Sequence, residues 1–398
     1  MKQGWDIKKL GEVAHISPSK SEVKTFALNP MDMVSFLPME DLTIGRTFVH
    51  PNKQKTLSEV EGSYTYFKEG DVLLAKVTPC FENGKLAIAK GLCNNIGFGS
   101  SEYIVIRPMQ HIVNSQYLIY LLQTNAFRNG GRTLMIGACG LKRLPKPYVA
   151  NYELPVPPIA EQQRIVEILD REFEKIDALK ANAERSLQQA KDLFQSALKQ
   201  KLQPKEGWDT KTIGELCTLK SGNSNANNTP EGTLPFVKVG DMNIQGNEER
   251  ITCSSSYVSY TENIKGIFPI GTVIFPKRGG AILTNKKRIT SVEICCDLNI
   301  MGVYSNGAII SELLYFYFLG VDLSKIYNGA AIPQINNGDI APLIISFPKI
   351  LTEQYSVVNR LIRHREICKA LEDNYKKTIA LCDDMKQALL RQAFNGEL

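Results

Sequence analysis

"GWDIKKLGEV", residues 4–13, returns as "GWDTKTIGEL" at residues 207–216, and the two copies hold the only tryptophans of the chain, Trp5 and Trp208. A recurring stretch signals duplication of a whole structural unit when further stretches recur after it in the same order. They do. "FKEGDVLLAK" (67–76) returns as "FPIGTVIFPK" (268–277), and "GACGLKRLP" (137–145) as "GAAIPQINN" (329–337). Glu161 and Gln162 return as Glu353 and Gln354, and "QSALKQKL" (195–202) as "QALLRQAF" (387–394). Each half therefore follows one plan, a mixed globular lobe and then a long helix.

The length of 398 residues exceeds what one core usually serves, in keeping with two such halves. With 43% hydrophobic and 22% charged residues, the chain reads as folded. The net charge of +6 leans toward a polyanionic partner only where the basic residues cluster. No apolar run is long enough to cross a bilayer, and the start "MKQGWDIKKLGE" lacks the apolar core of a signal peptide, so a cytoplasmic protein is expected. Nine cysteines at irregular spacing give neither a disulfide framework nor a zinc knuckle and read as reduced thiols. Four scattered histidines, none in HExxH spacing, point away from a metal site.

Within the lobes, "DVLLAKV", "SEYIVIRP" and "GTVIFPK" lie between turn signals and read as strands. One helix per lobe is expected, around "NSQYLIYLLQTNAF" and "SELLYFYFLG", where apolar residues recur at helical spacing. The fold class is α+β: lobe 1 over residues 1–156, a helix over 157–203, lobe 2 over 204–348 and a second helix over 349–398.

The stretch "PPIAEQQRIVEIL" (157–169) launches the first helix, with Pro157 and Pro158 fixing where it begins. Val166, Leu169, Phe173, Ile176, Ala183, Leu187, Ala190, Phe194 and Ala197 then form a heptad seam that Lys180 interrupts. The second helix places Val358, Leu361, Cys368, Tyr375, Ile379, Cys382 and Leu389 on its own seam, with Glu372 in the middle. Neither one-sided stripe is stable alone, so antiparallel packing of the two helices is expected, giving a dumbbell with approximate two-fold symmetry. Roughly forty helical residues make a rod of about 60 Å. Lys180 and Glu372 are candidates for a register-setting pair, the other reading being that both reach solvent at the edge of the seam.

Two loops are notably basic. "KRGGAILTNKKR" (277–288) and "RNGGRTLMIGACGLKRLPK" (128–146) each hold five basic residues and no acid. Such a run alone is usually a solvated surface; its occurrence in both lobes favours a split DNA site read at two places. Catalytic equipment is missing from the pattern. There is no GxxxxGK[ST], no GxGxxG and no NPPY-type tetrapeptide, "NPMD" (29–32) being the nearest, and the charges of "EDLTIGR" (40–46) have no selective spacing.

At this point the chain resembles the specificity subunits of type I restriction-modification systems over almost its whole length. The resemblance rests on "GWDIKKLGEV" and "GWDTKTIGEL", "LPVPPIAEQQRIVEIL", "AKVTPCFENGK", "GLKRLP" and the terminal "LLRQAFNGEL". It implies two target recognition domains, each reading half of a bipartite DNA sequence, joined by two helical regions in an antiparallel coiled coil. It further implies a non-catalytic role. Two modification subunits that bind S-adenosylmethionine and methylate adenine would dock along the helices, and restriction subunits using ATP and Mg would join them. The second launch, "SFPKILTEQYSVVNRLI", departs from the pattern by lacking the double proline. A coiled-coil scaffold that binds methyltransferase without reading DNA is the alternative.

Candidate DNA contacts in the first lobe are Lys76, Thr78, Glu82, Asn83 and Lys85, with Lys142 and Arg143 from the later loop. In the second they are Lys277, Arg278, Asn285, Lys286, Lys287 and Arg288, with Gln334, Asn336 and Asn337 from the matching later loop. Arg and Lys donate to guanine, Asn and Gln pair with adenine, and Glu accepts from cytosine. Pro157, Pro158, Glu161, Gln162, Lys180, Glu353, Gln354 and Glu372 are the candidates for helix register and partner docking.

Overall fold

Each GWD stretch becomes the strand that closes its lobe. In the computed structural model, which describes residues 4–138, 140–223, 232–259, 266–329 and 332–398, Asp6–Lys9 pairs antiparallel with Glu153–Val156, the strand leading into the first long helix. Trp208–Thr212 pairs in the same way with Ile344–Pro348. A single helical turn follows each, Leu10–Val13 and Ile213–Leu216, whose apolar residues are buried. The Glu of "GE" closes both turns: Glu12 accepts from the Lys9 amide at 2.6 Å and Glu215 from the Thr212 amide at 2.7 Å. The recurrence of the motif is thus the recurrence of a lobe's entry and exit. Cys139, Ala330 and Ala331, within the recurring loop stretches, lie outside the described residues.

The sheets repeat as well. In the first lobe a five-stranded sheet runs Ala14–Ile16, Tyr103–Pro108, Val72–Ala75, Leu86–Ala89, Phe48–Val49; in the second it runs Cys217–Ser221, Ile300–Ser305, Val273–Pro276, Arg288–Thr290, Arg250–Ile251. A four-stranded sheet accompanies each. The central strands, Val72–Ala75 and Val273–Pro276, are buried on both faces, which explains their unbroken apolar sequence. The second lobe has the expected helix, Ser311–Gly320. In the first lobe the expected single helix is two, Ser115–Leu122 and Asn125–Leu134, because Thr124 turns extended (φ −62°, ψ 145°) and caps the Phe127 amide.

The long helices are Ile159–Lys201 and Leu351–Asn395. The chain divides into two compact units, Met1–Ala183 with Lys377–Leu398, and Glu184–Lys376, so each unit joins one lobe to half of each long helix. Within the first unit the two helix segments run antiparallel, with Lys180 against Asp383 (2.7 Å) and Lys386 against Asp177 (2.6 Å). Leu169, Phe173, Leu390 and Ala393 enter the lobe's own core there. In this last stretch Leu390 is fully buried while Leu389, the expected seam residue, is half-buried, since the helix end packs on the lobe. In the second unit Phe194 and Leu198 meet the core that holds Val357, Val358, Leu361 and Cys368, and the Arg365 guanidinium lies 5.0 Å from the Phe194 ring.

The pair expected between Lys180 and Glu372 is replaced by two others. Lys180 donates to Asp383, and Glu372 accepts from Arg365 at 3.1 Å. The Lys180 side chain keeps 29% of its exposure, so its ion pair sits at the seam's margin, where such pairs contribute little.

Candidate nucleic-acid interface

In both lobes the central strand continues past its sheet and meets the later loop. In the first lobe the Leu144 amide donates to the Lys76 carbonyl (2.7 Å) and the Thr78 amide to the Lys142 carbonyl (2.9 Å). The Thr78 hydroxyl closes the clamp by donating to that same carbonyl (2.9 Å) and accepting from the Lys142 amide (2.7 Å). In the second lobe the Ile335 amide donates to the Lys277 carbonyl (2.9 Å) and the Gly279 amide to the Pro333 carbonyl (2.8 Å). Val77 bridges Arg143 in one lobe and Arg278 bridges Gln334 in the other. A third segment completes each clamp: Ile136–Ala138 pairs with Leu141–Arg143, and Asn328 exchanges two hydrogen bonds of 2.8 Å with Gln334.

This register corrects the reading of the later loops. Leu141–Leu144 is equivalent to Ile332–Ile335, so the second loop is one residue shorter than "GACGLKRLP" implies. Leu144 and Ile335 are the buried anchors, and Lys142 corresponds to Pro333.

The clamp brings Lys76, Thr78, Lys142 and Arg143 together in the first lobe. Arg143 donates to Glu102 through Nε (3.0 Å) and Nη2 (2.6 Å), and Lys76 Nζ donates to the Ser101 carbonyl (2.8 Å), with Glu102 at 3.8 Å. The Arg143 hydrogen bonds hold the Glu102 carboxyl below its ordinary range, with Lys76 adding to the effect and burial opposing it. Glu102 is the partner of the candidate Arg143 that the sequence did not disclose. It stands one position before a strand, in no motif, and its role as the orienter of Arg143 exists only in three dimensions. Of the remaining first-lobe candidates, Glu82 lies 3.6 Å from Arg132, Lys85 donates to the Met39 carbonyl (3.0 Å), and Asn83 is exposed in the turn.

In the second lobe Lys277 donates to the Ser221 hydroxyl (2.7 Å), and burial followed by the Arg278 charge lowers its pKa. Gln334 donates to Asn336 (2.7 Å), and Asn337 donates to the Leu219 carbonyl (3.3 Å). Among the described site residues, Lys142 and Arg278 are exposed and enter no ion pair, Lys142 on the later loop of the first clamp and Arg278 on the segment that continues the central strand of the second.

Within the run 285–288 the expectation is corrected at Lys287 and Arg288, which turn into the lobe, whereas Asn285 is exposed and Lys286 half-buried. Lys287 is 2% exposed and donates to Asn285 (2.7 Å) and to the Val321 carbonyl at the end of helix Ser311–Gly320. Asn285 also accepts from the Leu323 amide (2.9 Å), and its φ of 54° makes it the turn residue. Arg288 donates to the carbonyls of Lys287 (2.8 Å), Met242 (2.9 Å) and Asn247, and Lys286 donates to Asn243. The reason lies in the repeat. Val72 pairs with Ile88 and Val273 with Ile289, so Lys287 and Arg288 stand where the first lobe has the core residues Leu86 and Ala87. These cations fasten the lobe and leave the candidate interface.

Gln162 and Gln354 also turn inward. Each has no exposed surface. Gln162 accepts from the Asn114 amide (2.8 Å) and donates to the carbonyls of Ile112 (2.9 Å) and Pro157 (2.8 Å). Gln354 accepts from the Ile310 amide (2.9 Å) and donates to Ala308 (3.1 Å) and Pro348 (2.9 Å). They key each helix to its own lobe and are closed to a partner. Pro158 receives the Glu161 amide at 2.9 Å, a place that Ile350 fills before Glu353, so the second launch keeps the geometry without the double proline. Glu161 pairs with Arg164 (2.7 Å), and Glu353 is exposed. Among the described residues no helix is long and apolar enough to cross a membrane, and no group of three or more His, Cys, Asp or Glu side chains gathers to hold a metal.

The model of the type I restriction modification DNA specificity domain matches the chain twice, over residues 2–189 and 205–381. The chain is 35% identical over 196 residues to the specificity subunit of the type I restriction enzyme EcoEI of Escherichia coli, and 34% over 195 residues to that of EcoAI from the same species. Each match covers 49% of this chain and 32% of the relative, so the chain spans only that share of their length. The putative MjaX specificity subunit of Methanocaldococcus jannaschii is 22% identical over 325 residues, 76% of this chain and 72% of that one. Among solved structures, a chain from a study of complex assembly and conformational transition of the type I R-M system has a TM-score of 0.85 at 19% identity, covering 100% of this chain and 99% of its own. The HsdS subunit of Thermoanaerobacter tengcongensis has a TM-score of 0.59 at 20% identity, covering 100% and 98%. Both likenesses are of fold.

Proposed function

The chain belongs to the type I restriction modification DNA specificity family, and from that premise we propose that it is the non-catalytic subunit that selects the DNA sequence for an adenine methyltransferase and its associated endonuclease. Residues 1–156 and 204–348 act as target recognition domains, each reading one half of a bipartite duplex site. Residues 157–203 and 349–398 form the helical regions that set the gap between the halves and dock two modification subunits. S-adenosylmethionine belongs to those subunits, and ATP with Mg to restriction subunits; this chain itself takes no cofactor. The assembly works in the cytoplasm, where the duplex is.

One observation carries this reading: the two-loop clamp is built twice on the same scaffold, each time with an exposed cation outside any ion pair, Lys142 or Arg278, beside polar side chains. Cations facing the backbone supply affinity that falls with salt, while base-edge contacts supply preference. The matching names of the relatives support it, as specificity subunits of type I restriction enzymes.

The test is adenine methylation mapped at base resolution in cells that express the chain with a modification subunit, against the modification subunit alone. A split motif present only with the chain is the expected result. A stable complex that methylates nothing would reduce the chain to a scaffold.

A further inference from the structure

Several aliphatic side chains near the clamps are exposed, Ile136 and Leu283 among them, but the equivalence of the two clamps singles out one position that is aliphatic and exposed in both lobes. Leu141 and Ile332 hold the same position: the next residue supplies the carbonyl that receives the Thr78 or Gly279 amide, and the third residue on is the buried Leu144 or Ile335. Yet Leu141 is 51% exposed and Ile332 67%. A lone exposed aliphatic needs no account, but the same position exposed in both copies of one hydrogen-bonded register does.

The backbone beneath them is closely approached by a glycine in each lobe. A Cβ on Gly137 would lie 2.3 Å from the Leu141 carbonyl oxygen, and one on Gly329 would lie 2.7 Å from the Ile332 carbonyl oxygen. Both glycines have positive φ, 149° and 101°, and each lets the backbone pass this close to the aliphatic residue's carbonyl; in the first lobe Gly137 itself stands opposite Lys142. In the first lobe, alternation along the hairpin puts Leu141 on one face with Ile136 and Arg143, and Lys142 on the other.

We propose that Leu141 and Ile332 are the apolar readers of the two half-sites, each seated against the 5-methyl group of a thymine in the major groove. This rests on the DNA-specificity reading above. The A·T edge carries a methyl group that G·C lacks, and an aliphatic side chain is the complement to it. Polar neighbours, Arg143 in one lobe and Gln334 in the other, cover the purine edges that a methyl reader leaves unread. Lys142 and Arg278 set the same loops against phosphates, an environment that suits a polyanion and not an apolar protein groove.

The full chain, with the duplex it selects from a random pool, provides the test. Thymines of each half-site are replaced one at a time by uracil, which removes only the methyl. One thymine per half-site is expected to matter, its loss weakening binding about fourfold, the worth of one buried methyl. Leu141→Ala abolishes that sensitivity in one half-site and leaves the other, and Ile332→Ala does the converse. Unchanged urea midpoints keep folding out of the comparison. Uracil tolerance at every thymine, or a penalty that persists in the variants, overturns the assignment. So does a variant that keeps the penalty but no longer co-purifies with a modification subunit, which would make the side chain a protein contact. Failure of the unaltered chain to select any sequence removes the DNA-specificity reading itself, and this assignment with it.

Discussion

Lysine side chains in this protein divide by where they end, and the division makes predictions. Lys142 ends in solvent beside the clamp. Lys142→Ala is expected to weaken binding evenly across DNA sequences and to lower the slope of log affinity against log salt by about one; a titration at several salt concentrations measures it. Lys287 ends inside the second lobe, and Lys287→Met is expected to leave sequence preference unaltered. Burial pushes its amine down to about 8, against the opposing charge of Asp322. The unfolded chain binds this proton up to the ordinary lysine range near 10.5, so between about pH 8 and 10.5 the unfolded state holds more protons. Stability of the native protein therefore rises with pH across that window, while below it the cost of the buried charge is present in full. The gap in urea midpoint between Lys287→Met and the native protein should shift in favour of the native protein as pH is raised from 7.5 to 10.

At the scale of elements, the buried amides of Gln162 and Gln354 make each helix start a continuation of its lobe. Gln162→Leu leaves the Asn114 amide and two carbonyls without partners, a cost on the order of 3 kcal/mol. It should destabilise the first unit, and Gln354→Leu the second, with faster hydrogen exchange at Asn114 and Ile310 respectively as the local readout. The sequence carried this level well. The GWD copies, the central strands and both long helices were legible because hydrophobic period and turn signals are local. The break at Thr124 was not, since its cap competes with an otherwise unbroken helical pattern. The site was half legible. Lys76, Thr78, Lys142 and Arg143 do converge, but "NKKR" reads as a basic patch until the repeat aligns Lys287 with Leu86. Charge along a chain does not reveal which face of a strand it occupies, and Glu102 carries no local signal at all.

For the whole molecule, the proposed gap-setting role of the helices has a measurable increment. Seven residues inserted in each helix at the junctions of the compact units, after Ala183 and after Lys376, preserve the heptad pattern. They add about 10 Å of helix, equal to about three base pairs. The preferred gap, read from methylation maps, should lengthen by that amount with both half-sites unchanged; an unchanged gap in a folded variant would remove the helices from that role.

The pairing of each lobe's first strand with its last, Asp6–Lys9 with Glu153–Val156 and Trp208–Thr212 with Ile344–Pro348, has a mechanical meaning. Entry and exit are hydrogen-bonded neighbours, so the chain between them closes as a pouch whose mouth is one short ribbon and whose side rests on the helix that the ribbon feeds. Insertions or rewritten loops within the pouch leave the ribbon, and the helix it feeds, where they were. The proposed reading surface is thus free to drift in sequence while the frame that carries it stays still.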